Sequence, residues 1–202
     1  MNPQSPSSHL DRAMVFVDGT NLLVSVFEAL GVSVRAETAS DEAYTLVAQN
    51  LTRPLSSLAS PHATTRRRII RSYWFGAVQG SPEVIDSRRI LLRRMGFEAI
   101  LFPQRKGGKG EKGVDLAVAR EMLVHGFNRN YDTAILVAGD DDYVGLIQDI
   151  KRMGMTTVGM FLESAALSPV LRVEVDDFWP IQVPHPADAE LIEALRVASS
   201  AA

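Results

Sequence analysis

The sequence contains no cysteine, which excludes both a disulfide framework and any thiolate metal site. Nor does it carry a long apolar run; no stretch approaches the roughly 20 residues that a membrane span needs. The amino-terminal MNPQSPSSHLDRA has no basic segment followed by an apolar one, so it does not read as a signal peptide. Residues 1–12 read instead as a disordered leader. These absences point to a reducing cytoplasm and to no membrane partner. An excess of positive charge is missing too: the net charge is −3, so affinity for a polyanion must rest on local patches. His9, His62, His125 and His185 show no metal-ligand spacing. What is present in quantity is apolar side chain, 46% of 202 residues, which is ample for the core of one domain.

Short apolar runs alternate with helical patterns. AMVFVD (13–18), RRIIRSYWFG (67–76), FEAILFP (97–103), TAILVAG (133–139) and MTTVGMF (155–161) read as strands. Between them, TNLLVSVFEALG (20–31) is a helix closed by Gly31, and residues 40–58 form a second helix interrupted near Pro54. SPEVIDSRRILLRRMG (81–96), VDLAVAREMLVHG (114–126) and DYVGLIQDIKRMG (142–154) complete the set. Strands that are apolar throughout and separated by helices predict a three-layer α/β sandwich around a mainly parallel sheet. The domain is expected over 13–161. A carboxy-terminal extension, 162–202, would pack on it, with DDFWPIQVPHP extended and ADAELIEALRVASS a terminal helix.

In such sheets, ligands gather at the carboxyl ends of the strands, at the topological switch point. Acids fall there. Asp18 ends the first strand, and Asp140, Asp141 and Asp142 follow the strand at 133–139 after Gly139. Taken singly, Asp18 reads equally as a helix N-cap, as does one of the three later aspartates; Asp141 is the one assigned to capping. Asp115 shifts the balance. It opens a helix whose face continues through Ala119 and Met122, and a carboxylate on that inward side is costly without a partner. Carboxylate-only ligation suits Mg²⁺ or Mn²⁺ rather than zinc, and such clusters activate water against a phosphodiester.

FVDGTN, KGVD (112–115) and VAGDDDY (137–143) resemble, in order and spacing, the three motifs of NYN domains, which belong to the PIN-like nucleases. The resemblance covers about residues 13–161. It implies a Rossmann-like sheet and a metal-dependent ribonuclease centre built from Asp18, Asn21, Asp115, Asp140 and Asp142, the four aspartates as ligands of Mg²⁺ or Mn²⁺. Asn21 would orient the ligands or the scissile phosphate. Asp141 stands where Ser is common, and Tyr143 replaces a usual Phe as a core residue whose hydroxyl is free to reach out.

Residues 88–112 hold eight Lys or Arg against two acids. On the helix, Arg88, Arg89, Arg93 and Arg94 read as a solvated face. The loop QRKGGKGEKG leads straight to Asp115, so Arg105, Lys106, Lys109 and Lys112, together with Thr20, are expected to bind substrate phosphates. TTRRRIIR (64–71) reads most simply as an edge-strand solubility device. The Gly108-x-Gly110-x-x-Gly113 spacing is no dinucleotide fingerprint, because Pro103 and several charges separate it from the strand. The expected function is an endoribonuclease acting on single-stranded or structured RNA, without a covalent enzyme intermediate; a homodimer is left open. The alternative is a catalytically weak or inactive module that binds RNA or protein. A phosphatase using an Asp nucleophile is disfavoured, because its usual second Asp is here Thr20.

Overall fold

The computed structural model describes residues 11–32, 35–58, 67–104, 113–163 and 167–182. Six strands form one all-parallel sheet: β1 (Asp11–Asp18), β2 (Arg67–Val78), β3 (Glu98–Pro103), β4 (Thr133–Val137), β5 (Thr156–Leu162) and β6 (Asp177–Ile181). Their order across the sheet is β3-β2-β1-β4-β5-β6. The chain therefore winds outward from β1 in one direction, returns, and winds outward in the other. The switch point lies between β1 and β4, where Val17 pairs with Val137.

Helices α1 (Gly19–Leu30), α2 (Asp41–Leu58) and α3 (Pro82–Arg94) cover one face; α4 (Val114–Phe127), α5 (Val144–Arg152) and α6 (Pro169–Glu174) cover the other. Strand alternation divides the core between them. Ala13, Val15 and Val17 pack with Leu23, Phe27, Tyr44 and Trp74 on the first side. Met14 and Phe16 pack with Val118, Met122 and Ile147 on the second. Both faces of β1 are thus dry, which is why its sequence is continuously apolar. Each fully buried large side chain contributes roughly 1.5–3 kcal/mol. Gly31, at φ 66°, closes α1 by donating its N–H to Glu28 O and Phe27 O, a left-handed turn that glycine adopts at no steric cost.

Three expectations need revision. The helix from 41 is not interrupted at Pro54 but runs to Leu58. Leu51 and Leu55 are buried on either side of the proline, so one packed face spans it. Arg88 does not belong to a solvated face. It is buried, its guanidinium pairs with Asp41 at 2.9 Å, donates to Ala39 O and Ser40 O, and lies 4.1 Å over the Tyr44 ring. It ties α3 to the start of α2. Finally, β2 is an interior strand, although its pairing with β3 begins only at Tyr73, so Arg67–Ser72 extend beyond that neighbour.

Past residue 161 the chain adds α6 and then β6, which pairs in parallel with β5 from Val158↔Asp177. The extended reading of the DDFWPIQ stretch corresponds to β6; α6 was not anticipated. The leader up to residue 10 and the expected terminal helix lie outside the described residues. Among the described residues, no helix is long and apolar enough to cross a membrane.

Candidate metal and phosphate site

A cleft of about 190 Å³ opens at the carboxyl ends of β1 and β4, lined by Asp18, Thr20, Asn21, Val24, Val114, Asp115, Asp140 and Asp142. Each acid arrives at the start of a helix. Asp18 is the last residue of β1 and the N-cap of α1, its Oδ1 accepting from Asn21 N–H at 3.0 Å. Asp115 sits in the first turn of α4. Asp140 follows β4 and caps a 3-10 turn, Asp141–Tyr143, by accepting from Asp142 N–H at 3.1 Å. Helix amino termini carry partial positive charge, which is how the fold tolerates four carboxylates around one opening.

Asp18 is the deepest of them, with 3% of its surface exposed. Burial pushes its carboxyl up to about 6, against the hydrogen bonds from Asn21 and Tyr143 that pull it down; Asp115 and Asp140 add to the rise. The Tyr143 hydroxyl donates to Asp18 Oδ2 at 2.7 Å and lies 3.3 Å from Asp115 Oδ1. Burial first, and Asp18 next, hold that phenol well above its ordinary value.

The residues singled out in the sequence are brought together unequally. Asp18, Asn21, Asp115, Asp140 and Asp142 all line the cleft. Carboxylate oxygens of Asp140, Asp141 and Asp142 lie within 4.8 Å of one another. That tightest group includes Asp141, and the capping role expected of Asp141 belongs to Asp140. Asp141 instead faces an adjoining open pocket with Asn21, Gly139, Asp140, Leu167, Ser168 and Pro169. Asn21 Oδ1 accepts from Gly139 N–H at 2.9 Å. Thr20 lines the cleft, but its Oγ1 is engaged by Ala77 N–H at 3.1 Å, so it braces the end of β2. Arg105, Lys106, Lys109 and Lys112 lie outside the described residues.

The sequence reading left the Tyr143 hydroxyl free to reach out from the core, but the two acids it reaches were not visible there. Gly19 was also passed over. A Cβ there would stand 2.0 Å from Trp74 Nε1 and 2.7 Å from Phe75 O, so the turn from β1 into α1 requires glycine. His125 plays no part in the cleft: its ring nitrogens contact Tyr73 OH and Asn130 Nδ2. Among the described residues, the cleft's potential ligands are oxygen atoms alone. That donor chemistry suits a hard divalent cation such as Mg²⁺ or Mn²⁺.

The chain is similar to a solved protein of unknown function, VPA0982 from Vibrio parahaemolyticus RIMD 2210633, at 21% identity and a TM-score of 0.62. The match covers 89% of this chain and 97% of that one, and it establishes a shared fold. No curated protein matches. The family model for the NYN domain matches residues 12–182, from the first strand to the end of the sixth, and the chain belongs to the NYN domain family.

Proposed function

We propose that the protein is a metal-dependent endoribonuclease that hydrolyses RNA phosphodiester bonds, with Asp18, Asp115, Asp140 and Asp142 holding Mg²⁺ or Mn²⁺. The observation that carries this reading is the convergence of carboxylates from three separate helix starts on one cleft at the switch point. Four acids so placed repel one another, and Asp115 and Asp140 add to the rise that burial gives Asp18. Family membership supports the same reading, since NYN domains are generally nuclease-like.

A divalent cation supplies, when bound, an activated water and neutralisation of charge on the phosphodiester. The chain's own groups do the rest. Asn21 N–H and Tyr143 OH fix both oxygens of Asp18. Asn21 Oδ1 anchors the backbone that carries Asp140. Asp115 and Asp142 complete the ring of acceptors. Val24 and Val114 give the cleft an apolar flank, which strengthens the electrostatics by excluding water. Arg105, Lys106, Lys109 and Lys112 precede Asp115 in the sequence by three to ten positions. They would supply phosphate affinity that falls with salt.

The test is a cleavage assay on an RNA pool with Mg²⁺, Mn²⁺ and EDTA arms, reading the ends produced. Cleavage is expected with a divalent cation and not with EDTA. Asp140→Asn should lower the rate by on the order of 100-fold or more while leaving the fold intact; undiminished cleavage by that variant would sink the mechanism. Metal and RNA binding by the wild type without any cleavage would make it a binding module instead.

A further inference from the structure

The ring of Tyr143 is buried and packs in the second core cluster, a task any aromatic ring would perform. The hydroxyl is the part that needs explaining. It stands between two carboxylates that arrive from different elements, 2.7 Å from Asp18 Oδ2 and 3.3 Å from Asp115 Oδ1. A phenol has one proton to give, so it donates to one acid at a time, and the shorter distance assigns it to Asp18. With Asn21 N–H on Oδ1 at 3.0 Å, each oxygen of Asp18 then holds one donor. A carboxylate oxygen accepts more than one hydrogen bond, so both keep capacity for a ligand.

We infer that Tyr143 is a positioning residue for the cation ligands, its hydroxyl fixing the rotation of the Asp18 carboxylate and its spacing from Asp115 before a cation arrives. The inference rests on the metal reading of the cleft. Without the hydroxyl, Asp18 is held at one oxygen only, and the group that stands between it and Asp115 is gone. Partners that orient a metal ligand in this way typically contribute 10–100-fold in affinity.

The test is Mn²⁺ titration calorimetry on the wild type and on Tyr143→Phe, with near-UV circular dichroism to compare their packing. The wild type is expected to bind, and Tyr143→Phe to bind about tenfold more weakly. At the Mn²⁺ concentration that half-saturates the wild type, cleavage by the variant should be about fivefold slower, because a tenfold weaker site is only about one-eleventh filled there, with kcat recovered at saturation. Equal Mn²⁺ affinities overturn the inference and leave the metal reading standing, as does a kcat loss that saturating Mn²⁺ fails to recover. Absence of Mn²⁺ binding by the wild type removes the metal reading and this inference with it. A second readout needs no variant. Tyr143 is the tyrosine whose hydroxyl touches Asp18, so bound Mn²⁺ should perturb the tyrosine absorbance of the wild type; a flat difference spectrum with Mn²⁺ bound overturns the inference.

Discussion

Gly139 donates its backbone N–H to the side-chain oxygen of Asn21 at 2.9 Å, joining residues 118 positions apart. The bond fastens the first turn of α1 to the loop that carries Asp140. Asn21→Ala leaves that N–H without its acceptor and should lower stability by about 1–2 kcal/mol in urea titrations. Mn²⁺ affinity should fall as well, because Asp140 loses its anchor. An unchanged urea midpoint for Asn21→Ala would show that the bond is not what holds the loop.

Stability should depend on pH through Asp18. Its folded-state value, about 6, stands above the ordinary 3.8. Between those values the folded protein binds the proton and the unfolded chain has released it. The group's contribution is therefore favourable below about pH 4 and is lost as pH rises through 6. Two units correspond to about 3 kcal/mol. In EDTA, the unfolding free energy of Asp18→Asn should gain on the wild type by about that amount between pH 4 and 7. A gap that stays constant over this range would show that burial of Asp18 carries no such cost.

Gly19→Ala should destabilise the fold by a net amount of about 1–2 kcal/mol, read as a lower unfolding midpoint. The new methyl meets the Trp74 indole and the backbone oxygen of Phe75. The indole cannot withdraw, since Trp74 is wholly buried and packs against Tyr44 and Phe97. Overpacking of this kind costs about 1–3 kcal/mol and exceeds the helix-propensity gain of about 1 kcal/mol. An unchanged midpoint would mean that the β1–α1 turn can shift.

Much of the fold was legible because its signals are local. Apolar runs without alternation gave the buried strands, and Gly31 and the Ser81–Pro82 pair gave helix boundaries. The switch-point rule then placed Asp18 opposite Asp140. What escaped depends on contacts between distant segments. Arg88 looked like its neighbours on α3 until Asp41 and Tyr44 were seen beside it. The bond from Ala77 N–H to Thr20 Oγ1 joins residues 57 positions apart. Asp140 and Asp141 were interchanged as cap because adjacent residues of one type differ only in backbone geometry. The hydroxyl of Tyr143 meets Asp18 across 125 residues, and no spacing rule reaches that far.

That separation has a kinetic consequence. The two halves of the cleft meet only when β4 docks beside β1. Closing so long a loop is slow, and the unfolded chain holds no version of the site. A ligand of the cleft therefore recognises a finished molecule. It should retard unfolding while leaving the refolding rate untouched.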